Sequence, residues 1–477
     1  MPSADAHTAR RGRRRPVRSP YTPGDRYRVP MSGPTAASPA PATPPGPQLT
    51  VRRLVLLSIP AILIGVLSAL TLRLLDLIAG QLDGVLWTTT PQALGIAPDS
   101  PWWIFTVLTA TGIAVGLVVW LVPGHAGPDS ATTELAAAPL PLWVLPGLFV
   151  VVVLSLAGGV SLGPENPIIA VNVSLAIALV ARIAKAVPPQ LVGALAISAT
   201  VGALFGTPVA AALVFTGMVG EFKMGGSLWD KLFLPLVAAG AGSVTTFLLG
   251  GGFGATAPLP PYGTPQAFDL LLGAIVACAA AAFALIGIYL FPLVHRTFHA
   301  LRHPLLYIAL GGVVLGLLGM IGGPITLFKG LEQSEELLAD PEAYSPGQLA
   351  VILLVKMAAL VVAASAGFRG GRIFPAVFLG VAAGLLGAAL LPGLPLSLAV
   401  ACGVLGLVLA IARDGWVALF VAVAMVGDVT VLPMLCIIVL PAWLVVTWAR
   451  EMLITPADLA REHPEAPLPW ARVGSAR

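Results

Sequence analysis

Charge is what this 477-residue chain has least of. Asp, Glu, Lys and Arg make up 10% of it, against about 25% in soluble proteins. No charged side chain occurs between Lys185 and Glu221, between Lys231 and Asp269, or between Arg372 and Arg413. A membrane-spanning helix needs roughly 20 apolar residues, so each gap can hold one or two. With 57% apolar residues, the composition excludes a soluble enzyme, a nucleic-acid binder and a disordered protein. It defines an all-α, polytopic membrane protein. Cysteine is scarce as well. Cys278, Cys402 and Cys436 all lie in apolar runs, which excludes a secreted-type disulfide framework. No Gly-x-x-x-x-Gly-Lys-Ser/Thr loop is present, so ATP drive is not encoded. His295, His299 and His303 fall at i, i+4 and i+8. Arg296 and Arg302 are interleaved and Pro304 interrupts, which reads as a cytosolic loop or an interfacial helix end rather than a metal site. We expect no enzymatic activity, no cofactor and no metal.

The basic residues are unevenly spread. Residues 1–48 hold eight Arg, two Asp and eleven Pro and no apolar run. They read as a disordered cytoplasmic tail rather than a signal peptide. Its arginines could also bind anionic lipid. Residues 49–450 form the membrane domain, with halves at about 54–250 and 268–450, and 451–477 form a short cytoplasmic tail. The Arg excess before the first span places the N-terminus inside, and Arg450, Arg461 and Arg472 place the C-terminus there too. The expected location is the plasma membrane, with an even number of crossings. Met31 is an alternative start.

Gly and Pro interrupt the apolar segments: Gly158-Gly159, Gly163 to Pro167, Gly206 to Pro208, Gly322 to Pro324, Gly370 to Pro375, Gly415, Pro433 and Pro441. Helix ends inside lipid leave backbone groups unpaired unless protein or a wet cavity surrounds them. Broken helices of this kind point their ends at a transported solute near the midplane. The breaks also repeat. Gly163 to Pro167 matches Gly370 to Pro375, and Ala203 to Val209 matches Ala412 to Val417, with the breaks roughly 205–210 residues apart. Direct and inverted symmetry are not distinguished by this.

The first break carries Glu165, the only acid between Glu134 and Asp230 apart from Glu221. Pro167 suits a first helical position. The free N–H groups there, with the positive end of the helix dipole, favour an anion. Gly163, Pro164, Asn166, Pro167, Ile168 and Ile169 are therefore candidate anion-binding positions. A carboxylate just before such an end can occupy the anion site and leave it when protonated. The alternative is a Glu that caps the helix or pairs with a buried Arg. In the second break Arg372, Ile373 and Phe374 would face the same centre. Arg369 and Arg372 either attract anions or form structural pairs. Arg413-Asp414 reads as a local buried pair. Residues 325–347, with five acids and Lys329, read as a loop with a short helix.

These segments resemble the CLC family of chloride channels and chloride/proton exchangers. Gly163-Pro164-Glu165-Asn166-Pro167 is similar to the family's Gly-Arg/Lys-Glu-Gly-Pro motif, which carries the gating glutamate. Lys356 to Ser365 with Gly370-Gly371-Arg372-Ile373-Phe374-Pro375 resembles its Lys…Ser-Gly…Gly-Gly-x-Phe-x-Pro stretch. Phe205-Gly-Thr-Pro208 resembles its Phe-Asn-x-Pro. The resemblance runs over about 54–448 and is strongest to a divergent bacterial branch of YfeO-type ion-transport proteins. It implies two inverted halves, a homodimer in the lipid bilayer, one pore per subunit, and chloride or a related monovalent anion as cargo, with protons in the exchangers.

Three departures follow. The family's Gly-Ser-Gly-Ile-Pro aligns with His125-Ala126-Gly127-Pro128-Asp129, so the chloride-binding serine is replaced by Ala126, beside Gly127. Ser130 is near but off register. The exchangers' inner glutamates align with Gly217 and Met218, leaving Glu221, one turn later, as a surrogate on a candidate proton path. The central tyrosine is missing, since the last Tyr is Tyr344. The expectation is a passive anion channel gated by Glu165. The alternatives are a proton-coupled exchanger and a secondary transporter of another small solute.

Overall fold

The computed structural model describes residues 51–133, 139–183, 187–219, 228–253 and 259–455, together with Asp458. The expected tail at 1–48 and Glu221 lie outside the described residues. The chain is helical throughout its described part. In order the helices are α1 (Val51–Gly84), α2 (Thr90–Leu94), α3 (Pro101–Leu121), α4 (Leu145–Ala157), α5 (Glu165–Ile183), α6 (Pro189–Phe205), α7 (Pro208–Val219) and α8 (Leu228–Leu248). They continue with α9 (Ala267–His299), α10 (Pro304–Gly322), α11 (Leu331–Ala339), α12 (Pro346–Ser365), α13 (Ile373–Leu390), α14 (Leu396–Ala412), α15 (Gly415–Val426) and α16 (Leu432–Val446). Nine helices among the described residues are long and apolar enough to cross a membrane.

Proline and glycine set most of these boundaries. Pro101, Pro189, Pro304 and Pro346 stand in the first helical turns, where a missing N–H costs nothing. Gly206 and Gly323 end α6 and α10 at positive φ, a conformation glycine adopts without strain. The expected break at Pro441 is absent: α16 runs through it, as α9 runs through Pro292. Neighbouring groups in a membrane body re-satisfy the carbonyl that a proline frees.

The two halves repeat helix by helix. Helices α5, α6 and α7 begin at 165, 189 and 208, and α13, α14 and α15 begin at 373, 396 and 415. Packing repeats too: α1 lies on α8 as α9 lies on α16, and α5 lies on α6 as α13 lies on α14. The halves are inverted relative to each other. One contact shows the symmetry directly. Gly163 and Gly371, equivalent positions, form an isolated antiparallel bridge, with N–H to O distances of 2.9 and 2.6 Å. Equivalent residues that exchange both hydrogen bonds lie across a local two-fold axis.

Charge-poor helices sort by residue size. Helix α14 is buried from Ser397 to Ile411, while Leu440 and Leu444 on α16 and Phe247 and Leu248 on α8 face outward, as lipid-facing residues would. Lipid is as apolar as leucine, so helices here associate through close packing of small residues. Gly380 and Gly384 in α13 face Val400 and Gly403 in α14, and Gly112 in α3 crosses Gly312 in α10. The 12-residue helices α7 and α15 are about 18 Å long, too short to span alone.

Candidate functional site

The two central breaks meet at one point. Helix α4 ends at Ala157, and the chain runs through Gly163 into α5, whose first residue is Glu165. Helix α12 ends at Ser365, and the chain runs through Gly371 into α13. The bridge between Gly163 and Gly371 brings both N-termini to the same centre.

Glu165 is wholly buried. Its Oε1 accepts a hydrogen bond from the Phe374 N–H at 2.7 Å. The acid at the start of one half therefore caps the opening helix of the other. Its Oε2 has no hydrogen-bond partner among the described residues. Both bridging glycines make room for it. A Cβ on Gly163 would lie 2.7 Å from Glu165 Cδ, and one on Gly371 would lie 2.5 Å from it. The carboxylate is thus held in a slot floored by glycine, at the positive end of a helix dipole. Of the two sequence readings of Glu165, the structure shows a cap, made on the opposing helix rather than on its own.

The remaining candidates fall in several places. Gly163 forms the bridge, and Pro164 accepts the first α5 hydrogen bond, from Ile168 N–H at 2.9 Å. Ile168, Ile169, Ile373 and Phe374 are buried around the slot. Asn166 and Arg372 turn to a neighbouring loop, where both donate to the Thr133 carbonyl, at 3.3 and 2.9 Å. Ala126 and Gly127 stand apart. They lie in a left-handed turn, Gly124 to Gly127, with His125 and Ala126 at positive φ, and Ala126 is buried against α4. Met218 falls in α7.

The hydroxyl that reaches the second break belongs to Ser130. It accepts from the Gly370 N–H at 2.7 Å and donates to the Phe368 carbonyl at 2.6 Å. Ser130, Thr133, Asn166, Pro167, Arg369 and Gly370 line a small cavity. Arg369 is buried and structural in its contacts. It donates to the carbonyls of Gly367 and His125, at 2.6 and 3.2 Å, and lies 3.8 Å from Asp129.

Other parts were not foreseen. Phe374 stacks on Phe205, with centroids 5.5 Å apart, and meets Phe253 edge-on at 5.7 Å. The segment after α16 folds back, with the Ile454 N–H donating to the Ala131 carbonyl at 2.8 Å. Met452 and Ile454 are buried. Fully buried Lys356 donates to three consecutive carbonyls, Thr326, Leu327 and Phe328, at 3.0, 2.7 and 2.7 Å. Arg413 and Asp414 do not pair as expected. Asp414 caps α15 through the Trp416 and Val417 N–H groups, and Arg413 donates to the Val446, Ala449 and Arg450 carbonyls beyond α16.

Comparison with known proteins gives the class. The voltage-gated chloride channel family profile matches residues 111–447. The chain is 48% identical over 413 residues to YfeO of Escherichia coli O9:H4 (strain HS), an ion-transport protein by inference, covering 86% of this chain and 98% of that one. Among solved structures it is similar to a slow cyanobacterial Cl⁻/H⁺ antiporter (TM-score 0.70, 19% identity, 88% of this chain and 100% of that one). It is also similar to a CLC-type fluoride/proton antiporter (TM-score 0.63, 19% identity, 85% and 98%). The chain belongs to the CLC, or voltage-gated chloride channel, family, a family of anion transporters.

Proposed function

We propose that this protein passes a chloride-like monovalent anion through a pore in which Glu165 is the gate. The observation that carries this reading is the hydrogen bond from Phe374 N–H to the buried Glu165 carboxylate. A tethered carboxylate at a helix N-terminus stands where a free anion would be stabilised by the same N–H groups and dipole. It competes with the cargo, and protonation or displacement frees the position. Ser130 and Asn166 supply polar groups along the adjoining cavity.

Passive conduction is the favoured mechanism, because the sequence has Gly217 and Met218 where the exchangers carry their inner glutamates. Coupled exchange is the second reading. Its support is that two structural neighbours are proton-coupled antiporters. The protein works as a homodimer in the plasma membrane with both termini cytoplasmic. The test is flux of chloride, fluoride and nitrate in liposomes, with proton movement followed in parallel, for wild type and Glu165→Gln. Anion flux without proton movement in both supports the channel. Coupled flux in the wild type with uncoupled flux in the variant refutes it. No flux of any anion refutes the transport reading itself.

A further inference from the structure

Beside the Ser130 turn lies a cluster of titratable groups that the anion slot does not use. Asp129 Oδ2 is 3.5 Å from His299 Nε2, and Asp129 Oδ1 is 3.8 Å from Arg369 Nη1. His299 is sandwiched between His295, at a ring separation of 3.8 Å and 19° between planes, and Tyr307, at 4.5 Å and 27°. His295 is buried, while the Asp129 and His299 side chains keep 18% and 20% exposure. Water thus reaches one end of the cluster. The facing groups come from four elements: Asp129 from the α3–α4 connection, His295 and His299 from α9, Tyr307 from α10, and Arg369 from the break before α13.

Three candidate ligand groups within 4.8 Å of one another raise the question of what they hold. A metal fits poorly. Metal–histidine bonds run about 2.0–2.1 Å along the in-plane lone pair, and stacked imidazoles direct those lone pairs side by side rather than to one point. Arg369 also brings a fixed positive charge to the same carboxylate. A single proton fits. Two imidazolium ions in face-to-face contact repel, so the stacked pair has room for one added charge beside the Asp129 carboxylate. Burial would raise the Asp129 carboxyl, but the hydrogen bond with His299 and the Arg369 charge outweigh it and hold it below its ordinary value. Asp129 stays ionised as the counter-charge.

The cluster is joined to the pore by one turn of chain. Asp129 Oδ1 accepts the Ala131 N–H at 3.0 Å, and its carbonyl accepts from Thr132 and Thr133. The turn so fixed presents Ser130 to Gly370 and the Thr133 carbonyl to Asn166 and Arg372. We propose that Asp129, His295 and His299 form a proton-binding site on the face where α9 ends, and that its charge draws anions into the cavity beside Ser130. The proposal rests on the anion-transport reading above.

Glu165→Gln removes the titration of the gate, so flux in that background isolates the second site. Acidifying the face where α9 ends, between about pH 8 and pH 5, should raise flux on the order of tenfold, the effect of one added unit charge in a partly desolvated site. Acidifying the opposite face should not. Adding His295→Gln with His299→Gln, or Asp129→Asn, should flatten the profile. Asn keeps an acceptor for the Ala131 N–H, so the turn survives. Flux in Glu165→Gln that is equal at both pH values, or a rise that persists in the double histidine variant, overturns the proton site and leaves the transport reading standing. No anion flux in the wild type or in Glu165→Gln overturns the transport reading, and the proton site with it.

Discussion

Neutralising Glu165 should tighten equilibrium anion binding. In the resting structure the carboxylate holds the Phe374 N–H at 2.7 Å. A hydrogen bond to a charged group contributes about 1.5–3 kcal/mol, and a neutral one about 0.5–1.5, so Glu165→Gln weakens the tethered competitor by about 1 kcal/mol through this bond. Loss of the charge at the α13 N-terminus removes about another 1 kcal/mol of dipole interaction. Together this is about 2 kcal/mol, or roughly thirtyfold in apparent affinity. Glu165→Ala, with no side chain to compete, should bind at least as tightly. Isothermal titration of chloride, fluoride and nitrate into purified protein measures it directly. Affinity in Glu165→Gln that is unchanged or weaker than wild type would refute the idea that this carboxylate stands in the anion's place.

Three further outcomes follow from particular contacts. In Gly371→Ala the new methyl would lie 2.5 Å from Glu165 Cδ, so the carboxylate must leave its slot. Flux should approach that of Glu165→Ala, and the double variant should add nothing, because both changes remove one interaction. Lys356→Met leaves three buried carbonyls without a donor, at about 1 kcal/mol or more each. It should lower Tm in detergent well beyond a surface Lys→Met control, and Lys356→Arg should not rescue it, since a planar guanidinium does not fit a cage built for a compact ammonium. The returning C-terminal segment is pinned by Asp458, which lies 3.0 Å from Arg450. Burial would raise the Asp458 carboxyl, but hydrogen bonds from Thr455 and the Arg450 charge hold it below its ordinary value. A depressed folded-state value stabilises above the unfolded value and loses that contribution as pH falls through the folded one. Acid should therefore release this segment, read as faster proteolysis near residue 455, and Asp458→Asn should release it at neutral pH.

The breaks were legible because Gly and Pro cannot hide: Gly163, Gly206, Gly323 and Gly370-Gly371 all stand at helix ends or between helices. The acid of the first break and the helix opening at Ile373 and Phe374 stood out because the breaks recur in each half, but the hydrogen bond between them did not show in the sequence. The loop that serves them was not. Ser130 reaches Gly370 across 240 residues of sequence, and neither residue type announces such a bond. The error on Arg413 and Asp414 has a local cause. Arg413 sits at positive φ as the C-cap of α14, while Asp414 begins the next helix, so adjacent side chains diverge. The histidine spacing was visible, but its meaning depended on Asp129 arriving from the other half. It separates His295 and His299 from His303, whose ring lies instead against Trp120.

If Glu165 is the gate, as proposed, the two-fold bridge explains why one carboxylate suffices. Each helix N-terminus carries about half an elementary charge, and the Gly163–Gly371 pairing brings the N-termini of α5 and α13 to one centre. Two half-charges complement one monovalent anion. Glu165 supplies one negative charge from within the chain, set against those two helix ends. On that proposal, displacing the carboxylate exposes the same charge to a free anion, and its return expels it. Placing the acid on the opening turn of one half and its hydrogen-bond donor on the other would make such an exchange depend on the relative position of the two halves. The glycines at the crossing leave that position free of side chains that would otherwise fill the slot.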